Sequence, residues 1–142
     1  MSELWQTDGP ILLHGLWTTL GLLVVSSALA YLLAVPLALA RLSRSRLVAW
    51  PALAYSGFFR GTPLLVQIYL IYYGLAQFPA VRHSPAWVVL REAWPCALIA
   101  LGLNMTAYVA EPLRAGLLAV PVGEREAALA FGMSGFLSLI HI

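Results

Sequence analysis

The 142 residues are 61% hydrophobic and only 10% charged, with a mean hydropathy of +0.85. A water-soluble domain of this size needs far more polar surface, so the composition places the chain in a bilayer. The formal net charge of +2 is too small to suggest a nucleic-acid partner, and the one cysteine, Cys96, has no second thiol to pair with and reads as packing.

Residues 1–14 form an N-terminal segment in which Met1 to Pro10 carries Glu3 and Asp8 and no basic residue. A signal peptide needs a basic start and a short apolar stretch, so this segment does not read as one. Ile11 to Ala40 contains no charged residue. That exceeds the about 20 residues that cross a hydrocarbon core of about 30 Å, and a first transmembrane helix is expected over 15–40. On it Gly15, Thr19, Ser26 and Ala30 lie close to one face and read as a helix-packing seam. Arg41, Arg44 and Arg46 follow with no acid among them, which argues for a cytoplasmic loop.

A second span is expected over 52–79, interrupted by Phe59-Arg60-Gly61-Thr62-Pro63. Thr62 suits a helix N-cap and Pro63 a first turn. Leu47–Phe59 would then be a helix at the inner interface, followed by a crossing from Pro63 to Phe78. The alternative is one kinked helix over 48–78. Gln67, Tyr69, Tyr72 and Tyr73 form a polar aromatic cluster within it, suited to packing, interface anchoring or solute contact. A mixed loop from Pro79 to Trp94 leads to the third span, 95–118. Three spans put the N-terminus outside and the segment after the third span inside.

Polar side chains inside a bilayer need a reason. Asn104, Tyr108, Glu111 and Ala115 are spaced to share one face of the third helix. With Gln67, the residues Asn104, Tyr108 and Glu111 are the candidate solute path, with Glu111 facing a cation. The structural alternative pairs Glu111 with Arg114 or Arg60, and lets Asn104 bond a neighbouring helix. Pro112 is expected to break the helix. His14, His83 and His141 are scattered and offer no metal-ligand spacing; no glycine-rich phosphate loop or nucleophile elbow occurs. No metal, cofactor or catalytic residue is expected, so any energy consumed comes from a partner.

The segment 121–134 closes the chain's polar features. Pro121-Val122-Gly123 ends the third span, Glu124 to Phe131 favours a helix, and Gly132 suits a C-terminal turn. By its residues alone it is either an ordinary interfacial helix or a lever that docks in a partner's groove.

Three stretches carry a family resemblance. Val120-Pro121-Val122-Gly123 through Glu126-Ala127-Ala128 to Gly132-Met133-Ser134 resembles the cytoplasmic EAA loop of ATP-binding-cassette (ABC) importer permeases. Phe59-Arg60-Gly61-Thr62-Pro63-Leu64-Leu65-Val66-Gln67 and Leu103-Asn104-Met105-Thr106-Ala107-Tyr108-Val109-Ala110-Glu111 resemble signatures of polar amino acid permeases. Tyr69-Leu70-Ile71-Tyr72-Tyr73-Gly74, the 79–94 loop and Pro95 to Leu101 look most like the arginine permease subunit in the histidine/arginine/opine branch. The resemblance implies an all-α polytopic membrane protein, the first part of a type I ABC importer permease fold, with residues 15–142 a partial transmembrane domain.

It further implies a non-catalytic subunit importing polar, basic amino acids across the cell inner membrane. Its partners would be an ABC ATPase subunit, a second permease subunit and an extracytoplasmic amino-acid-binding protein. Glu126, Ala127, Ala128 and Gly132 would be the ATPase contact. Pro112 departs from the family pattern, as does the stretch after Ser134, which lacks arginine and lysine. The chain ends where the family continues into further spans, so a C-terminally truncated record is expected. Rival readings are a small membrane anchor or interaction protein, and a fragment of a secondary transporter.

Overall fold

The computed structural model describes residues 2–141, and among them every regular element is helical. Helix α1 is Ser2–Arg41, α2 is Arg46–Gly61, and α3 starts at Leu64 and runs to Gln77. Two short helices, α4 (Pro79–Arg82) and α5 (Trp87–Leu90), lead into α6 (Ala93–Ala119). The chain closes with α7 (Val122–Ala130) and α8 (Gly135–His141).

The all-α expectation holds. Of the three expected spans, Asp8–Arg41 and Ala93–Ala119 are long and apolar enough to cross a membrane, whereas Leu64–Gln77 is a shorter apolar helix.

The core is a seam between α1 and α6, the most extensive helix pair in the fold. Ser26, Ala30, Ala34 and Ala38 recur every fourth residue on α1 and are all buried. From α6, Gly102 meets Leu29, Met105 meets Ser26, and Ala110 packs with Ala34 and Ala38. Small residues at the contact points let side chains of one helix seat close to the backbone of the other, which is how helices associate in lipid, where apolar burial drives little. Gly102 marks the tightest point: a Cβ there would stand 2.7 Å from Leu29 Cδ2. The seam takes in Ser26 and Ala30 as expected but continues toward Ala38; Gly15 and Thr19 are exposed. Cys96 is buried packing, its thiol donating to the Leu90 carbonyl at 3.2 Å.

The interruption after Gly61 separates two helices rather than kinking one. Thr62 is extended, at φ −116° and ψ 144°, and Pro63 takes the cap position of α3. Thr62 does not cap α3 as the sequence suggested. Its hydroxyl instead turns back to donate to the Phe58 carbonyl at 2.8 Å, because the last carbonyls of α2 are the groups in need of partners.

The break expected at Pro112 does not occur, and α6 runs through it to Ala119. A proline removes the donor for one carbonyl, here that of Tyr108, which lies on the exposed face. Ala107 and Ala110 are buried, and Ala110 packs with Ala34 and Ala38 of α1, which holds the helix axis away from the exposed face. Beyond Gln67 the third helix widens into a π-turn over Leu70–Gly74 and tightens into a 3-10 turn over Leu75–Gln77.

Candidate functional site

Pro63 sets up the first polar cluster. In a continuous helix its N–H would serve the carbonyl of Phe59, four residues back, but proline has none. Two side-chain amides replace it. Gln67 Nε2 donates to the Phe59 carbonyl at 3.0 Å, and Asn104 Nδ2 donates to the same oxygen at 3.0 Å. The Gln67 amide also donates to the Thr62 carbonyl at 3.1 Å and to Thr62 Oγ1 at 2.7 Å. Asn104 closes the network by donating to Gln67 Oε1 at 3.1 Å. Gln67 is 2% exposed, so its amide group is committed to the backbone of the break. Tyr55, one turn before Phe59, ties α2 to α6 by donating to the Leu103 carbonyl at 2.7 Å.

One and two turns further along α6 lie Tyr108 and Glu111. The Tyr108 hydroxyl donates to the Arg60 carbonyl at 3.5 Å, and the Arg60 guanidinium stands 5.8 Å from the centre of its ring. Glu111 is held by three arginines. Arg41, from the last turn of α1, and Arg60, from the last turn of α2, meet its Oε2, the latter at 3.2 Å. Arg114 meets Oε1 at 3.0 Å. Both carboxylate oxygens therefore have guanidinium partners, and the cluster as a whole is cationic.

The four residues expected along a solute path thus form one continuous line. Gln67 and Asn104 bond each other, Tyr108 and Glu111 share Arg60, and Phe59–Thr62 runs beside all of them. Arg41 was not foreseen as a partner of Glu111. Its signal lay in position: Arg41 ends the uncharged run of α1, and Glu111 ends that of α6. Charges that first appear at the same depth in neighbouring helices are the natural pair.

The EAA-like residues lie apart, on α7 and the turn after it. Glu124, Arg125, Glu126 and Ala127 are exposed, and Ala128 is the buried residue of this helix. Gly132 has φ +78°, a left-handed conformation that other residues adopt only with strain. Its N–H donates to the Leu129 carbonyl and that of Met133 to the Ala128 carbonyl, both at 3.0 Å. These two bonds make a Schellman motif and fix the direction in which the chain leaves α7. Ser134 then caps α8, its hydroxyl accepting from the Leu137 N–H at 3.2 Å. Helix α8 was missed in the sequence, although Ser134 ahead of an apolar run was its start signal.

Residues 28–142 match the family of the binding-protein-dependent transport system inner membrane component. The octopine transport system permease protein OccM of Rhizobium radiobacter is 57% identical over 130 residues, covering 92% of this chain and 53% of the relative. The nopaline transport system permease protein NocM of Agrobacterium fabrum is 46% identical over 134 residues, covering 94% and 56%. The arginine ABC transporter permease protein ArtM of Escherichia coli is 43% identical over 126 residues, covering 88% and 57%. A chain from a crystal structure of an amino acid ABC transporter with histidines superposes with a TM-score of 0.74 at 35% identity, covering 92% of this chain and 57% of that one. The chain spans about half the length of the curated relatives it matches.

Proposed function

The chain belongs to the binding-protein-dependent transport system inner membrane component family, and from that premise we propose that it is the permease part of an ATP-driven importer of polar, basic amino acids. Octopine, nopaline and arginine, named for three relatives, all carry a guanidinium group, which favours a solute of that kind. ATP is hydrolysed by a separate ABC ATPase subunit. A second permease subunit completes the pathway, and a binding protein on the outer side delivers the solute.

The observation that carries this reading is the form of α7. It is a short helix with acidic residues exposed, docked through Ala128 and stopped by a glycine-specific turn. An exposed, rigidly ended helix is what transmits a push from a soluble motor to membrane helices. In this reading Glu126, Ala127, Ala128 and Gly132 meet the ATPase, and α7 lies on the cytoplasmic side with the N-terminus of α1 outside. Asn104, Tyr108 and Glu111 border the solute path, with Gln67 holding its wall at the break.

Affinity purification of the full-length gene product from its own membranes, followed by mass spectrometry, tests the coupling. An ABC ATPase should accompany the wild type and be lost on Gly132→Asp, which strains the turn and adds a charge. A simple membrane anchor would bring down no ATPase in either case. Uptake of labelled arginine, challenged with unlabelled octopine and histidine, then tests the solute class.

A further inference from the structure

Where α1 ends, the fold leaves an open groove of about 740 Å³ against the start of α2. It is lined by Arg46, Leu47, Trp50, Pro51 and Leu53 of α2 together with Arg41 and Arg114. No acidic side chain lines it among the described residues. Glu111 lies beside Arg41 and Arg114, but it is a single charge shared with Arg60 as well. Arg46 makes no ion pair among the described residues and is exposed.

The depth of the groove identifies its surroundings. The uncharged run of α1 stops at Arg41, and that of α6, from Ala93 to Ala110, measures roughly 27 Å at about 1.5 Å per residue. This is close to the thickness of a hydrocarbon core of about 30 Å, so the arginines stand where acyl chains give way to headgroups. Trp50, 72% exposed, and Leu47, 89% exposed, form an apolar wall at that level. Tryptophan is favoured at such interfaces.

We propose that this groove binds the phosphate headgroup of an anionic phospholipid, with Arg46 on the phosphate, Arg41 and Arg114 adding positive charge beside it, and Leu47, Trp50 and Leu53 along the first part of the acyl chains. Cationic side chains beside an apolar wall at headgroup depth match both halves of such a lipid, whereas a soluble anion would leave the apolar wall unused. The inference rests on the membrane placement of α1 and α6 and not on the transport reading. Lipid retention without a co-purifying ATPase would therefore separate the two.

Native mass spectrometry of the full-length protein in mild detergent, titrated with phosphatidylglycerol or phosphatidylcholine of matched chains, tests it. Phosphatidylglycerol should be retained in preference to phosphatidylcholine. Arg46→Gln should weaken its retention on the order of five-fold, from about 1 kcal/mol per basic residue at a membrane surface. Arg46→Lys should restore most of the loss, and Arg82→Gln, on α4, should have no effect. Equal retention of the two lipids, or indifference to Arg46→Gln, would overturn the proposal. So would displacement by millimolar inorganic phosphate, which would assign the arginines to a free anion. Failure to retain either lipid would mean that protein fills the groove, and would also overturn it.

Discussion

The Phe59 carbonyl has two donors, and this redundancy gives the fold a measurable signature. Replacing Gln67 with Met keeps the side-chain length but removes every hydrogen bond of the amide, leaving Asn104 alone on Phe59 and the Thr62 carbonyl without its side-chain donor. Replacing Asn104 with Leu leaves Gln67 in place on Phe59. In the double variant the Phe59 oxygen has neither.

Two effects then oppose each other. The direct Asn104–Gln67 bond is lost in either single variant and cannot be lost twice, which makes the double variant milder than the sum by about 0.6 kcal/mol, a typical value for membrane hydrogen bonds. Orphaning the part-buried Phe59 carbonyl happens only in the double variant and costs toward the lower end of about 1–3 kcal/mol. The second effect is the larger, so the double variant should exceed the sum of the singles by about 1 kcal/mol. Unfolding of the protein in mixed micelles by titrated sodium dodecyl sulfate, followed by circular dichroism, gives the four free energies of the cycle. A strictly additive or milder double variant would refute the reasoning, because the Phe59 carbonyl would then have another partner or none of this importance.

Other perturbations act on the seam, the ion cluster and the turn after α7. Gly102→Val should destabilise by about 1–3 kcal/mol in the same unfolding assay, since its Cβ meets Leu29, and adding Leu29→Ala should recover part of the loss. Glu111→Gln strands three guanidinium groups and should cost about 1–3 kcal/mol, below the figure for a fully buried pair because Glu111 is 28% exposed. Arg60→Gln, removing the most exposed of the three partners, should cost under about 1 kcal/mol. Gly132→Ala should cost about 1–2 kcal/mol locally, because φ +78° suits glycine. Hydrogen exchange should show this as faster exchange at Gly132 and Met133, with α1 and α6 unaffected.

The legible parts of this fold were those in which a single residue type settles the matter. Charge-free length marked α1, and Thr62-Pro63 marked an interruption, though not whether it parts two helices or kinks one. Gly132 marked a turn that only its backbone freedom allows. What the sequence left open were outcomes of competition. Thr62 could cap forward or backward, and the unpaired carbonyls behind it decided. Pro112 could break α6, but one lost hydrogen bond on an exposed face does not outweigh the packing of Ala107 and Ala110. Asn104 and Glu111 were legible as polar residues needing partners, yet a partner such as Arg41 lies 70 residues away and is chosen by helix packing.

Pro63, Gln67 and Asn104 are therefore coupled through one backbone oxygen, that of Phe59. The two amides serve it because the proline withholds a hydrogen. Another residue at position 63 would restore an N–H, which serves the Phe59 carbonyl only if Thr62 also leaves its extended conformation and the helix runs on. Among related proteins that keep Pro63, either amide should be replaceable alone, but loss of both Gln67 and Asn104 should be accompanied by some new donor for the same oxygen.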